Sequence, residues 1–359
     1  MNTKVTTETF NEIQKIFIKV TDENLSYQEL EAALLPYNSL PLLCKYFHSK
    51  YYYLHGDHNK ASKLISDVIL GLDQDGTESE IILLCFSYAL KEIYGIAGEI
   101  YAHNNEYDKS LRAYQDYHIC VLRLKSAEAR SLLSFRRYNE YSLSDLIHNE
   151  VTVISPSRMN DPYDTLLFKW TESLTYGETQ RPHLKPYCDA LNSYRIRSFT
   201  KVTNSKGQEM IGNTLMWSHY TEDHKGFCIK YSFSEQFTSN TEERRTIRFK
   251  DILYHDESKP LNIIKESINT DIGLCTKQAA WSYENEVRMI AFEPEAKEFY
   301  NSVPLDPASK IDAIYFGYRC QENHIRTIRK VVTQHYPDAK FYKMTSDYTD
   351  IYNLSAEEI

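Results

Sequence analysis

A change in hydrophobic periodicity divides this chain of 359 residues near residue 126. Before that point, apolar side chains recur every three to four positions, as Ile13 and Phe17 do, which is the spacing of an amphipathic helix. After it, short alternating segments such as residues 151–154 predict strands with one buried face. The sequence therefore predicts an α+β chain, with a helical domain at residues 1–126 and a mixed β-sheet domain with helices at residues 127–359.

Two segments of the first region repeat one pattern of an aromatic helix, a short polar turn and a second helix with a small residue near its start. The turns lie at residues 55–57 and 104–106, and the small residues are Ala61 and Ser110. This pattern resembles tetratricopeptide repeats, helix pairs of about 34 residues that stack into a solenoid with a concave binding face. The resemblance implies a protein or peptide partner on that face. A plain helical bundle is the alternative.

Composition and charge restrict the class of protein. The chain is 42% hydrophobic and 25% charged, with a formal net charge of −9, which argues against a general nucleic-acid coat. Its seven cysteines are odd in number and widely spaced, so neither a disulfide framework nor a zinc ribbon is predicted, and a reducing cytoplasm is expected. The apolar segment at residues 81–101 contains three charged residues, so it predicts a buried helix and no membrane span.

The densest group of chemically useful side chains lies in residues 213–233. Trp217, Ser218, His219 and Tyr220 are adjacent, and a glycine then opens an alternating apolar run. A polar and aromatic cluster that leads through a glycine into a strand is typical of a pocket wall. The alternative is a Trp and a Tyr packed in a core beside solvated histidines.

A second group of charges lies in the segment W-S-Y-E-N-E-V-R at residues 281–288. Alternation along a strand would place Glu284, Glu286 and Arg288 on one face, with Val287 and Met289 turned into the core. Three charges on one strand face indicate either a solvated edge or a functional site.

Five motifs in the second region resemble a bacterial domain family that is known mainly as a domain of unknown function. They are F-R-R-Y at 135–138, S-P-S-R-M-N-D-P-Y-D at 155–164, L-M-W-S-H-Y-T-E-D-H-K-G-F-C-I at 215–229, W-S-Y-E-N-E-V-R at 281–288 and I-D-A-I-Y-F-G at 311–317. The chain departs from the family at residues 197–200, R-S-F-T, where Cys-Phe-Ser is more usual. The resemblance implies membership but no chemistry.

The order of polar residues also resembles the ADP-ribosyltransferase fold. That fold carries Arg or His on its first strand, Ser or Tyr on a middle strand, and Glu on a late strand, often as E-x-E. The matching residues here are Arg136 or Arg137, then Ser218, His219 and Tyr220, then Glu284 and Glu286. The resemblance implies that NAD is the substrate. The chain has no Gly-rich phosphate loop, so a Rossmann-type NAD site is excluded.

The same resemblance assigns roles to individual residues. Glu286 is the expected catalytic carboxylate, because cleavage of the nicotinamide–ribose bond passes through an oxocarbenium-like state that a negative charge stabilises. Glu284 and His219 are expected to assist it. Trp217 or Tyr220 would stack on nicotinamide beside Ser218, and Arg136 or Arg137 would hold a phosphate or ribose of NAD.

Three hypotheses of function follow from these patterns. The first is an NAD-consuming ADP-ribosyltransferase or NAD glycohydrolase with a helical-repeat sensor, acting on a nucleic-acid or protein acceptor in bacterial antiphage defence or as a toxin. The second is a non-catalytic adaptor that binds protein or nucleic acid. The third is a metal-dependent nuclease, which would use Asp161, Asp164, His219, His224 and Glu286. No metal motif such as H-E-x-x-H occurs, so the nuclease ranks last and no metal site is predicted.

Overall fold

The computed structural model describes residues 7–20, 25–72, 89–123, 128–159, 161, 164–165, 185–239, 245–255, 270–294, 299–346 and 354–359. The chain divides into two compact units, one of residues 1–124 with 174–191 and one of residues 125–173 with 192–359. The prediction that residues 1–126 and 127–359 are separate domains stays a prediction. None of the helices in the described ranges is both long and apolar enough to cross a membrane.

The first unit is built from helices. They are α1 (Thr7–Val20), α2 (Tyr27–Leu34), α3 (Pro41–Leu54), α4 (His58–Leu72), α5 (Ala89–His103), α6 (Tyr107–Arg123) and, later in the chain, α8 (Lys185–Leu191). Local signals set the helix starts: Ser26 and Glu29 form a capping box before α2, and Pro41 opens α3, where a missing N–H costs nothing. One apolar core, which includes Phe47 and Ile65, joins α1 to α6.

Both predicted turns join helices that pack against each other. Gly56, with a φ of +80°, lies between α3 and α4, and Asn105, with a φ of +60°, lies between α5 and α6. Glycine and asparagine are the residues that adopt this left-handed conformation most readily. Ala61 and Ser110 are fully buried, and the Ser110 hydroxyl donates to the carbonyl oxygen of Gly98 at 2.7 Å. The helix pairs are therefore present, while their assignment as tetratricopeptide repeats stays a prediction.

Replacing Ala61 with leucine is expected to lower the free energy of unfolding by about 1–3 kcal/mol. Ala61 has no exposed surface, so three extra carbon atoms would overpack the contact between α4 and its neighbours. Urea denaturation measures the change. Lys63→Leu is the control, because Lys63 is an exposed position on the same helix. An Ala61→Leu protein as stable as the wild type would contradict a close helix contact at this position.

The second unit is a mixed α+β structure, as predicted. Its strands are β1 (Arg130–Arg136), β2 (Glu150–Ile154), β3 (Tyr194–Lys201), β4 (Phe227–Phe233), β5 (Thr246–Asp251), β6 (Leu253–His255), β7 (Thr276–Gln278), β8 (Glu286–Phe292), β9 (Tyr300–Pro304), β10 (Lys310–Phe316), β11 (Lys340–Ser346) and β12 (Leu354–Glu358). Its helices are α7 (Glu140–His148), α9 (Thr214–Tyr220), α10 (Glu235–Ser239), α11 (Thr270–Cys275) and α12 (Glu322–His335).

The main sheet runs in the order β12-β11-β10-β4-β1-β3-β2-β9, and β8 pairs with both β3 and β5. Its strand pairs are antiparallel except β10 with β11. Neighbouring residues of β1 point to opposite faces, so Leu132 and Leu133 enter two different apolar clusters. The predicted buried strand at residues 151–154 is confirmed as β2, with Val151 and Val153 in the core.

The loop between α9 and β4 lies so close to neighbouring backbone that two positions have room only for glycine. A Cβ on Gly226 would lie 2.1 Å from the carbonyl oxygen of Arg136, and a Cβ on Gly317 would lie 2.1 Å from that of His224. Residues 222–224 have φ values of +52°, +53° and +67°, a left-handed turn without glycine. Because such residues cost about 1–2 kcal/mol each, the surrounding contacts must fix this loop.

Two local predictions are wrong. Ser218, His219 and Tyr220 lie on helix α9 and not on a middle strand, because the Asn213 side chain accepts hydrogen bonds from backbone N–H groups of the first turn and starts a helix there. Glu284 does not share a strand with Glu286.

Glu284 ends a 3₁₀ helix, Ala279–Glu284, and Asn285 then takes a left-handed φ of 45° before β8 begins. Helix α11 ends at Cys275, and strand β7 follows it directly at residues 276–278. Asn160, Pro162 and Tyr163 of the motif at residues 155–164 lie outside the described residues.

Candidate functional site

An arginine on β8 is the centre of a buried ionic network. Glu286 and Arg288 are two residues apart on the strand, so their side chains lie on one face, while Val287 enters the core as predicted. Arg288 has no exposed surface. Its guanidinium donates to both carboxylate oxygens of Asp164 at 3.0 Å, and to Oε1 of Glu286 at 2.8 and 3.1 Å.

Lys277, on strand β7, joins a further carboxylate to this network. Its Nζ lies 2.6 Å from Glu284 Oε2, 3.1 Å from Glu286 Oε2 and 4.9 Å from the ring centroid of Trp281. All three charged side chains are at most 6% exposed. An ammonium group between two carboxylates and over an indole face is well compensated in spite of its burial.

The network holds three carboxylates, those of Asp164, Glu284 and Glu286, against the two cations Lys277 and Arg288. When every group is ionised, the cluster therefore carries one net negative charge. Such a charge, enclosed where water cannot screen it, is a receptor for positive charge that develops on a bound substrate.

The two glutamates of this network differ in acidity. Burial alone would raise the pKa of Glu286, but the charges of Arg288 and Lys277 outweigh it, and together with a hydrogen bond from Ser198 they lower that pKa to about 2. Burial raises the pKa of Glu284 in spite of Lys277. Glu286 is therefore a permanent anion at neutral pH, and Glu284 is the carboxylate that protonates more readily.

Hydroxyl groups fix the orientation of both carboxylates. Ser198, on the adjacent strand β3, donates to Oε1 of Glu286 at 2.5 Å, and Tyr220 donates to Oε1 of Glu284. The backbone N–H of Glu286 in turn donates to the Tyr254 hydroxyl at 2.7 Å. Burial and the charge of Glu284 raise the pKa of Tyr220, so that phenol keeps its proton and remains a donor.

A cavity of about 90 Å³ lies beside these groups. Its lining residues are Leu133, Phe135, Met159, Ser198, Phe199, Thr200, Met216, Tyr220, Lys277, Glu284 and Glu286. One wall carries the carboxylates and hydroxyls, and the rest is apolar or aromatic. Pockets for whole small molecules usually measure about 300–1,000 Å³, so this cavity has room for one ring of a ligand and not for a whole dinucleotide.

The structure brings together three of the predicted site residues, Glu284, Glu286 and Tyr220, at this cavity. Trp217 does not reach it. Its side chain is fully buried, its indole N–H donates to the carbonyl oxygen of Ile211 at 2.6 Å, and its ring packs edge-on against Phe135. A ring without exposed surface cannot be a stacking platform, so Trp217 is a core residue, and of the two predicted stacking residues Tyr220 is the one at the cavity.

Ser218 and His219 have other partners on the same helix. The Ser218 hydroxyl lies 3.1 Å from Nε2 of His224, and Nδ1 of His219 lies 2.9 Å from the Tyr283 hydroxyl. Neither side chain lines the cavity. Adjacent residues of an α-helix point about 100° apart around its axis. Met216 and Tyr220, one turn apart, therefore face the cavity, while Ser218 and His219 point elsewhere.

The two arginines at the end of β1, Arg136 and Arg137, are also outside the cavity lining. Arg136 forms an ion pair with Asp145 at 2.9 Å and is only 11% exposed. Arg137 is exposed, and its carbonyl oxygen accepts a hydrogen bond from Ser142. An arginine that is already paired cannot bind a phosphate without breaking that pair, so Arg137 is the better placed of the two.

Sequence reasoning missed Ser198 and Lys277. Ser198 and Thr200 are two residues apart on β3, so they lie on one face of the strand, and both line the cavity. The sequence R-S-F-T at residues 197–200 does not alternate between polar and apolar residues, so it gave no signal for them. Lys277 carries no signal either, because only the fold brings it to Glu286. The five residues of the nuclease hypothesis form no metal site: within the described ranges, no group of three or more His, Cys, Asp and Glu side chains could hold an ion.

The comparison with known families concerns this same part of the chain. Residues 216–289 match the family described as "Protein of unknown function (DUF2971)". A domain of unknown function is thus confirmed there. The match runs from helix α9 through strand β4 to strand β8, and it includes Tyr220, Lys277, Glu284, Glu286 and Arg288. Neither the curated proteins nor the solved structures that were compared contain a match to the chain.

Proposed function

We propose that the second unit cleaves the nicotinamide–ribose bond of NAD, as an ADP-ribosyltransferase or an NAD glycohydrolase, with Glu286 as the catalytic carboxylate. The observation that carries the proposal is the environment of Glu286. Its carboxylate is ionised, oriented by Ser198, and lies on the wall of a cavity that it shares with Tyr220 and Glu284.

The chemistry follows from that environment. Loss of nicotinamide leaves positive charge on the ribose, and a fixed carboxylate stabilises that charge more strongly inside a protein than in water. Ser198 and Arg288 both hold Oε1 of Glu286, so the group needs no reorganisation as charge develops. Glu284, whose pKa is raised, is the group suited to accept a proton from an attacking water or acceptor hydroxyl.

The strand order supports the same function. Strands β1, β3 and β8 are neighbours in the sheet: β1 ends directly before Arg137, β3 carries Ser198 and β8 begins at Glu286. The Ser of the middle strand in the transferase pattern is therefore assigned to Ser198 in place of Ser218. Phe135 lines the cavity, and Arg137 follows it by two residues, so we assign the NAD phosphates to Arg137, outside the cavity.

Because the cavity is small, only one part of NAD would enter it. A nicotinamide ring would occupy the space between Tyr220 and the apolar wall of Phe135 and Met216, while the pyrophosphate and adenosine would remain outside. Its positive charge would lie near the net negative charge of the Glu284 and Glu286 network, which favours binding of this ring over a neutral one.

The test is to incubate the full-length protein with NAD and to measure free nicotinamide by chromatography. Release is expected, and the product distinguishes the two activities, since a glycohydrolase frees ADP-ribose and a transferase attaches it to an added protein or nucleic acid. Absence of release, with either class of acceptor present, would contradict the proposal and favour the non-catalytic adaptor.

Two serine variants test the position of the site. Ser198→Ala is expected to lower nicotinamide release about tenfold or more, because the hydrogen bond that orients Glu286 is lost, and each tenfold corresponds to about 1.4 kcal/mol. Ser218→Ala is the matched control, since Ser218 contacts His224 and lies outside the cavity. Equal losses in both variants would remove the support for Ser198 as the positioning residue.

A further inference from the structure

A second and larger cavity lies between helix α12 and strands β11 and β12. It measures about 410 Å³, and its lining residues are Glu322, Ile325, Arg326, Arg329, Lys343 and Ile359. That volume is within the range of pockets that hold small molecules. The cavity shares no lining residue with the one beside Glu286, so whatever it binds is a separate question from the proposed function.

Three cationic side chains from two elements converge on this cavity. Arg326 and Arg329 are three residues apart on α12, so they lie on the same side of the helix. Lys343 comes from β11, whose Phe341 packs with Ile325 in the core beneath the helix. The Arg329 guanidinium lies 5.1 Å from the Phe341 ring centroid, a contact that leaves its N–H groups available.

Within the described residues, the three cations contact carbonyl oxygens and an aromatic ring in place of carboxylates. Arg326 makes one long bond, from Nε to the Glu322 carbonyl oxygen at 3.4 Å, and Lys343 Nζ donates to the carbonyl oxygen of Cys320 at 2.9 Å. Throughout the part of the chain that the structure describes, no ion pair within 4.0 Å involves any of the three. Within that part, the three cations contact carbonyl oxygens and one aromatic ring.

The acidic groups nearby do not change this balance. Glu322 lines the cavity and Glu357 lies opposite Lys343 in the β11–β12 register, yet neither forms an ion pair with the three cations. Glu358 is 4.0 Å from Lys340, at the other end of β11. Among the lining side chains, three are thus cationic and one is acidic.

We propose that this cavity binds the phosphate groups of a small phosphorylated ligand, such as a nucleoside diphosphate. A guanidinium presents parallel N–H groups that match two oxygens of one phosphate, and two arginines with a lysine suit two adjacent phosphates better than a single carboxylate. Ile325 supplies an apolar wall for the rest of the ligand. The ligand would remove the mutual repulsion of the three cations.

The experiment uses the full-length protein with sodium pyrophosphate as the probe, at physiological ionic strength, with calorimetry and thermal unfolding as readouts. The wild type is expected to bind and to unfold at a higher temperature, with sodium chloride of equal ionic strength as the reference. Binding of Arg326→Gln/Arg329→Gln is expected to weaken at least about tenfold, on the scale of lost charge-assisted hydrogen bonds. Lys343→Gln, on the other element, should weaken binding as well even if the double variant fails to fold.

Lys330→Gln is the matched control, because Lys330 is exposed on the same helix and does not line the cavity. Equal weakening in this variant would show a nonspecific charge effect and overturn the proposal, as would no binding of pyrophosphate by the wild type. A single-stranded oligonucleotide that binds through Arg326 and Arg329 while pyrophosphate does not would overturn it too, in favour of a nucleic-acid surface.

Discussion

Glu286→Gln is expected to lower the rate of nicotinamide release about 100-fold or more, while the chain still folds. The glutamine side chain has the same length and nearly the same shape as glutamate, but it lacks the negative charge that stabilises an oxocarbenium-like state. Loss of one preorganised electrostatic group commonly costs about 100- to 1,000-fold in turnover. Single-turnover rates with saturating NAD measure this step without a contribution from binding.

Folding should survive because of the charge balance in the network. The wild type has three carboxylates and two cations there, so the variant has two of each and leaves no uncompensated charge. Glu293→Gln is the matched control. Glu293 follows β8, is 5% exposed and pairs with Arg245 away from the cavity. Full activity of Glu286→Gln, or an equal loss in Glu293→Gln, would lead us to abandon the transferase proposal.

Arg288→Met is expected to lower the free energy of unfolding by about 3–5 kcal/mol, the range seen when one partner of a buried ion pair is removed. Methionine has a similar length and packs well, so the change comes mainly from charge. Asp164 and Glu286 would then be buried with only Lys277 to balance the three carboxylates. Urea denaturation monitored by circular dichroism measures the difference.

Arg130→Met is the control for that experiment. Arg130 also pairs with two acidic residues, Glu128 and Asp251, but its partners are 53% and 50% exposed, and such surface pairs contribute about 1 kcal/mol at most. If Arg288→Met and Arg130→Met lost the same small stability, the network around Arg288 would be far more open to water than the structure shows.

Features that depend on neighbouring residues in the sequence were predicted well. The turns at Gly56 and Asn105 follow from residues that tolerate a left-handed backbone, and strand β2 follows from strict alternation. The direction of Glu286 was predicted in the same way, since Val287 and Met289 must enter the core and leave Glu286 on the opposite face. Periodicity decides these features because side-chain direction is set locally.

Features that depend on distant parts of the chain were not predicted. Asp164, Ser198 and Lys277 surround Glu286, and they lie as far as 122 positions from it, with register and strand order as the only link. The error over Glu284 has a local cause: one left-handed residue, Asn285, ends the alternation that the sequence pattern implies. Periodicity contains no information about either effect.

The wide spacing of the network partners has a consequence for biosynthesis. The carboxylate of Glu286 is held in place only when residue 164, strand β3, strand β7 and strand β8 are all present. A nascent or partly unfolded chain therefore has the same amino acids but no oriented anion and no enclosed cavity. If this protein consumes NAD, that activity begins only when this unit has been synthesised and folded completely, and it ends when the unit unfolds.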